Sequence, residues 1–232
     1  MFRLGVVLLC FVLQQCTGEN SSKKDMDMQK IGDGLEVKVY VIYDTDEYSK
    51  QHKPRYDWQR PGIWYFLNLF DEVQEYFYSK NVMVMFSVIA VEKVADIWVR
   101  TNQSLDTNAT LEKLQMTHSS NYSRPNETIV YLFTNRTLPI QSETATATLG
   151  TLCSPNVSAA IAVQQPGSKS YVSAVEATSL VFGASGSFNF TDEDIQKMNH
   201  TFSNCYIKPS RKNRRKRNKT AKTTSTATSL IE

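Results

Sequence analysis

Histidine is scarce in this chain. Only His52, His118 and His200 occur in 232 residues, and they sit in separate segments without the spacing of metal ligands. Each reads as a solvent-facing or packing residue, and no Ser/His/Asp order can be assembled from them. Glycine is sparse too, at nine residues. Its one clustered string, GASG at 183–186, lacks the lysine and the following helix of a phosphate-binding loop, so it reads as a helix C-cap with a tight turn. After Leu13 no apolar run approaches the roughly 18 residues of a membrane-crossing helix. These gaps argue against a P-loop nucleotide enzyme, a recognisable triad hydrolase and a transmembrane protein.

The single long apolar run lies at the start. MFRLGVVLLCFVLQQCTGEN has a basic Arg3, an apolar stretch from Leu4 to Leu13, and small residues near Thr17 and Gly18. That pattern predicts a cleavable signal peptide over 1–18 and a secreted, extracellular product. Its removal would take Cys10 and Cys16 with it, leaving Cys153 and Cys205 of the four cysteines. In an oxidising compartment two thiols left in one domain normally pair. Asn-x-Ser/Thr triplets are dense: Asn20, Asn102, Asn108, Asn121, Asn126, Asn135, Asn156, Asn189, Asn199 and Asn218. Behind a signal peptide they point to a secretory glycoprotein.

Charge is unevenly distributed. The formal net charge is +3, yet the segment beyond Pro209 holds Arg211, Lys212, Arg214, Arg215, Lys216, Arg217, Lys219 and Lys222 against Glu232 alone, so the rest of the mature chain is net acidic. The tail, 209–232, has too little apolar surface to form a core and is expected to be disordered. Its Lys/Arg cluster suits heparan sulfate or an anionic lipid surface. The competing reading is a processing site at RRKR, with cleavage after Arg217. Nuclear localisation fits the same letters but not a signal peptide, and no nucleic-acid partner is expected.

Between leader and tail the pattern is α/β. A polar leader at 19–34 precedes the alternation of Val37, Val39 and Val41, a half-buried strand. Ile63, Phe66, Leu67, Phe70, Val73 and Phe77 recur at three and four, the spacing of one buried helix face. A strand at 82–91 follows, and strand–helix–strand implies a parallel crossover. The stretch 101–125 reads as a surface excursion with a short helix capped at Thr110. Further strands fall at 128–133 and 159–164, joined by a Thr/Ala-rich connection at 140–148. Helices over 171–183 and from Thr191 complete one domain, 35–208. Tyr56, Trp58, Trp64 and Tyr65 are expected to be chiefly core aromatics.

The stretch from Cys153 to Cys205 carries a resemblance. TLCSPNVSAAIAVQQ, SYVSAVEATSLVFGASG and FTDEDIQKMNHTFSNC, in that order, resemble the active-site half of a reprolysin or ADAM-type metzincin, where a Gly-x-x-Cys turn and a strand lead to a zinc-binding helix, H-E-x-x-H-x-x-G-x-x-H, and a last helix ends near a cysteine. Upstream, LEVKVYVIYD, WYFLNLFDEVQEYFYSKNVMVMFSVIAVEKV and ETIVYLFTNR continue the likeness. The resemblance implies a single metzincin-like domain, a twisted mixed sheet packed on long helices. It also implies an edge strand near 140–148 lining a substrate groove, and a Cys153–Cys205 bridge.

This sequence departs from the family where zinc would bind. With Gly183 as the motif glycine, the ligand positions are Glu176, Leu180 and Gly186, with Ala177 at the base. With Glu176 as the base, they are Val175, Ser179 and Ser185. Neither set holds a histidine, and the short step from Gly186 to Phe190 leaves no room for the family's Met-turn. The expectation is a pseudo-enzyme with no catalytic residue, metal or cofactor, in which a glycan on Asn189 would crowd the groove. Similarity to the salivary metalloprotease-like proteins of blood-feeding arthropods such as ticks implies host or matrix proteins as partners. Two other readings stay open: an active secreted zinc-dependent metalloendopeptidase with a non-standard metal site, and a structural or ligand-carrying glycoprotein.

Overall fold

A computed structural model describes residues 30–51, 62–101, 104–118, 125–140, 143–186 and 188–206. The expected signal peptide and the basic tail lie outside these residues.

The sheet is built around two strands with almost uninterrupted burial. Strand β1 (Glu36–Tyr43) leads through helix α1 (Ile63–Ser79) to β2 (Met85–Lys93), and β1 and β2 pair in parallel, as the crossover requires. A two-residue hairpin, β3 (Arg100–Thr101) and β4 (Ser104–Leu105), precedes helix α2 (Thr107–His118). The chain then returns to the other side of β1 as β5 (Thr128–Thr134), runs out to the rim as β6 (Ala145–Ala147), and comes back between them as β7 (Ser158–Val163). Strand order is β2-β1-β5-β7-β6, with only β6 antiparallel. Helices α3 (Val172–Val181) and α4 (Asp192–Phe202) close the fold. The architecture is the single α/β domain with a mixed sheet that the sequence predicts.

Each face of the sheet has its own core. On one, Phe66, Phe70, Val73 and Phe77 of α1 meet Tyr131 and Phe133 of β5 together with Phe182 and Phe202; Phe66 and Phe133 lie 4.9 Å apart between ring centroids and Phe70 and Tyr131 lie 5.0 Å apart. On the other, Leu111 and Leu114 of α2 pack with Tyr40, Ile42, Leu132 and Ile161. Strand residues buried on both faces explain why β5 reads TIVYLFT with no polar alternation.

Three expectations shift by a few residues. Leu69, not Leu67, completes the buried stripe of α1 alongside Tyr65 and Tyr76. Helix α2 starts earlier than expected, because Asp106 Oδ1 accepts the Ala109 N–H at 2.9 Å. Thr110 is instead a buried interior residue, donating to the Asp106 carbonyl and accepting the Val99 N–H. The ordered domain also begins before Leu35: Ile31 is buried, bridges Val82, and receives the Met83 N–H at 2.7 Å.

The two rims differ. At β2 the register slips between Val39 and Tyr40, which leaves Ile89 unmatched. Beside the slip, the Phe86 N–H is taken by the side-chain oxygen of Gln74 at 2.9 Å. At β6 the Thr144 carbonyl and Thr148 N–H bond to β7, so the alternation of an antiparallel pair turns the backbone groups of Ala145 and Ala147 away from the sheet.

Candidate functional site

The rim at β6 is where helix α3 lies, the helix that carries the candidate ligand positions. Helix α3 packs against β6 and β7, and its two candidate registers, offset by one residue, occupy neighbouring strips of its surface. Val175 and Ser179, ligand positions in the second register, are both 0 % exposed. Val175 belongs to the core, and Ser179 Oγ donates to the Val175 carbonyl at 2.7 Å. Those positions cannot line a groove.

The first register lies nearer the surface. Glu176 is half-buried and its carboxylate accepts a hydrogen bond from Thr144 Oγ1, one residue before β6. One turn on, Leu180 is half-buried and lies against Gly186, where a Cβ would sit 3.0 Å from Leu180 Cδ2. Ala177, the base position of that register, is fully buried. The more exposed strip of α3 therefore displays Glu176 and Leu180, with Gly186 packed beside Leu180. Of these only the Glu176 carboxylate has a lone pair to offer a cation.

The helix ends as a C-cap, in accord with the bland reading of GASG. Gly183 has φ 95°, its N–H bonds to the Leu180 carbonyl, and the Ala184 N–H reaches back to Ser179, the paired bonds of a Schellman motif. A Cβ at Gly183 would lie 3.0 Å from Thr201 Oγ1 and 3.6 Å from Gly150 Cα. Glycine is needed here for both conformation and clearance.

The segment beyond Gly183 is fastened by Asp194. This carboxylate, 2 % exposed, accepts the Ser185 N–H at 2.8 Å and the Thr191 N–H at 2.9 Å, with Thr191 Oγ1 at 2.8 Å. Thr191 in turn caps α4 by accepting the Asp194 N–H. Burial alone would raise the Asp194 pKa, but the hydrogen bonds from Thr191 and Ser185 outweigh it and hold the group at about 2. Sequence inspection did not single out Asp194; Thr191 followed three residues later by a carboxylate was the available signal.

A disulfide joins Cys153 to Cys205, with sulfurs 2.07 Å apart. It ties the turn before β7 to the end of α4. Six sequon asparagines fall on described residues, Asn108, Asn126, Asn135, Asn156, Asn189 and Asn199, and all six are exposed. Asn102, Asn121 and the basic residues Arg211, Lys212, Arg214, Arg215, Lys216, Arg217 and Lys219 lie outside the described residues, as do His52, Tyr56 and Trp58. His118 closes α2 and an exposed His200 lies in the last turn of α4. Among the described residues no group of three or more His, Cys, Asp and Glu is placed to hold a metal ion, and no helix is long and apolar enough to cross a membrane.

A second feature went unmarked in the sequence. A cleft of about 620 Å³ opens between α1 and the turn at 167–169, lined by Gln51, Tyr65, Asn68, Asp71, Glu72 and Lys169 among others. Tyr65, buried, supports its wall by donating to the Ser168 carbonyl at 3.1 Å and accepting from Gln164 at 2.9 Å.

No protein-family profile matches the chain, and no curated protein matches its sequence. Among solved structures, metalloproteinase-II from Bacteroides fragilis aligns over 74 % of this chain and 56 % of its own, at 12 % identity and a TM-score of 0.45. A chaperone–substrate complex aligns over 68 % of this chain and 25 % of that one, at 9 % identity and a TM-score of 0.43. The chain thus spans little more than half the length of the metalloproteinase it aligns with.

Proposed function

We propose that this chain is a secreted, catalytically inactive metalloprotease-like glycoprotein that acts by binding extracellular proteins, with a basic tail for sulfated glycans or anionic surfaces. The observation that carries the reading is the more exposed strip of α3 and the glycine beside it. A catalytic zinc needs three lone-pair donors at about 2.0–2.2 Å, and the residues presented there are a carboxylate, a leucine and a glycine. What the site retains is the means to hold a polypeptide. The outward N–H and C=O groups of Ala145 and Ala147 can pair with an extended segment, as in strand addition to a sheet edge. Secretion, glycan occupancy and host or matrix partners belong to the same proposal; the exposed sequon asparagines and the disulfide support it.

The test is incubation of the secreted protein with gelatin and fibrinogen, with and without a chelator, alongside metal analysis of protein purified without added zinc. No cleavage and far less than one zinc per chain are expected. Chelator-sensitive cleavage would establish the rival reading, an active metalloendopeptidase with a non-standard metal site.

A further inference from the structure

The chain around β6 carries charge of one sign. Between Arg136 and Lys197 the sequence holds a single basic residue, Lys169, against Glu143, Glu176, Asp192, Glu193 and Asp194. Lys169 lines the cleft beside α1, and Lys197 is paired with Glu193 at 2.8 Å. On α3 the sole charged residue is Glu176, whose carboxylate meets the neutral hydroxyl of Thr144 and no cation among the described residues. One turn on, Leu180 is half-buried, its carbonyl takes the Gly150 N–H at 2.9 Å, and the neighbouring Leu149 is 65 % exposed. The helix therefore offers an anion beside the start of β6 and an apolar patch beside its end.

These two features fall in register with the outward backbone groups of the edge. Ala145 and Ala147 lie opposite Ala162 and Ala160, and their side chains pack on the face of the sheet that holds α3. An antiparallel guest is the more stable arrangement per residue, and directly opposed residues in such a ladder project to the same face. Guest residues opposite Ala147 and Ala145 would therefore also point toward α3. One residue separates them, a span of about 7 Å along the guest, close to the roughly 6 Å between Glu176 and Leu180 along the helix. Chain direction fixes the order: the residue opposite Ala147, by Leu180 and Leu149, comes first, and the one opposite Ala145, by Thr144 and Glu176, comes two later. Because both edge residues are alanine, β6 itself sends no long side chain into that space.

We propose that β6 selects an extended polypeptide carrying an apolar residue followed two positions later by lysine or arginine, the apolar side chain lying on Leu180 and Leu149 and the cation meeting Glu176. The inference rests on the reading of β6 as a protein-binding edge and adds the identity of the guest. A long basic side chain is required because Glu176 lies on the helix and not on the strand. The same carboxylate repels a guest with an acidic residue at that position, so it discriminates as well as attracts.

Fluorescence anisotropy of labelled peptides titrated with the full secreted chain tests the proposal. The probes share a neutral Ser/Thr background with Leu-Ser-Lys, Leu-Ser-Gln, Leu-Ser-Glu or the reversed Lys-Ser-Leu at the centre. At low salt Leu-Ser-Lys should bind about fivefold more tightly than Leu-Ser-Gln, the scale of an exposed ion pair, and the advantage should shrink as salt rises. Glu176→Gln should erase the preference and Glu176→Lys should turn it toward Leu-Ser-Glu, both in a folded protein, since Glu176 holds only the Thr144 bond. Equal binding of Leu-Ser-Lys and Lys-Ser-Leu, or a preference that survives Glu176→Gln, would overturn the assignment of the guest while leaving β6 a general protein-binding edge. Absence of binding by every peptide would instead remove the protein-binding reading itself, and the inference with it.

Discussion

Replacing Asp194 with asparagine removes the charge that joins the segment after α3 to the last helix. The native carboxylate is 2 % exposed and accepts hydrogen bonds from the Ser185 N–H, the Thr191 N–H and Thr191 Oγ1. Asparagine keeps the shape but presents an amide N–H to one of those donors. The folded pKa of about 2 against an ordinary 3.8 corresponds to about 2 kcal/mol of stability. Because the folded value lies below the unfolded one, that contribution is complete above about pH 5. It fades as pH falls through 3.8 and is gone below about 2. Urea denaturation of wild type and Asp194→Asn, at pH 7 and again near pH 2, reads this directly. The variant should be less stable by about 2–3 kcal/mol at pH 7, with the gap shrinking by about 2 kcal/mol near pH 2. A gap of the same size at both pH values would show that the carboxylate's charge is not what holds the segment.

Serine at Cys153 and Cys205 should lower stability by about 4 kcal/mol, as expected for a closed loop of some fifty residues; a free-thiol assay on denatured, unreduced wild type should find none. Tyr131→Phe should cost about 1 kcal/mol in chemical denaturation, since it deletes the buried bond from the Tyr131 hydroxyl to Thr178 Oγ1 at 2.7 Å while Thr178 keeps its own bond to the Ala174 carbonyl. Phe66→Ala, at the meeting point of Tyr43, Tyr48 and Phe133, should cost about 3–5 kcal/mol and lower the thermal midpoint. Glu176→Ala removes only the bond from Thr144 at a half-exposed position and should change stability by less than about 1 kcal/mol.

Much of the fold was legible because its pattern is carried by large side chains. Phe66, Phe70, Val73 and Phe77 mark α1 unambiguously, and Val37, Val39 and Val41 mark β1, because a buried stripe leaves a period in the letters. Strand β6 leaves almost none. Ala145 and Ala147 have little strand preference and Thr146 alone is β-branched, so pairing with Ala160, Ile161 and Ala162 is what makes them a strand. Ile31 was hidden for the same reason, its place being set by contact with Val82 from the far side of α1. On α3 the letters could not choose between registers, since Val175 and Glu176 are neighbours in sequence. Burial separates them, sending Val175 to the core and leaving Glu176 half-buried beside Thr144.

The contrast between the sheet's rims has a consequence for how copies of this protein can meet. Along β2, the unmatched Ile89 breaks the straight ladder a newcomer would need, and Gln74 already occupies the Phe86 amide. That rim is a poor template for polymerisation through backbone zippering. A guest strand of the kind proposed above would have to meet the opposite side, where β6 offers an edge of only three residues, short for the repeated pairing a fibre needs.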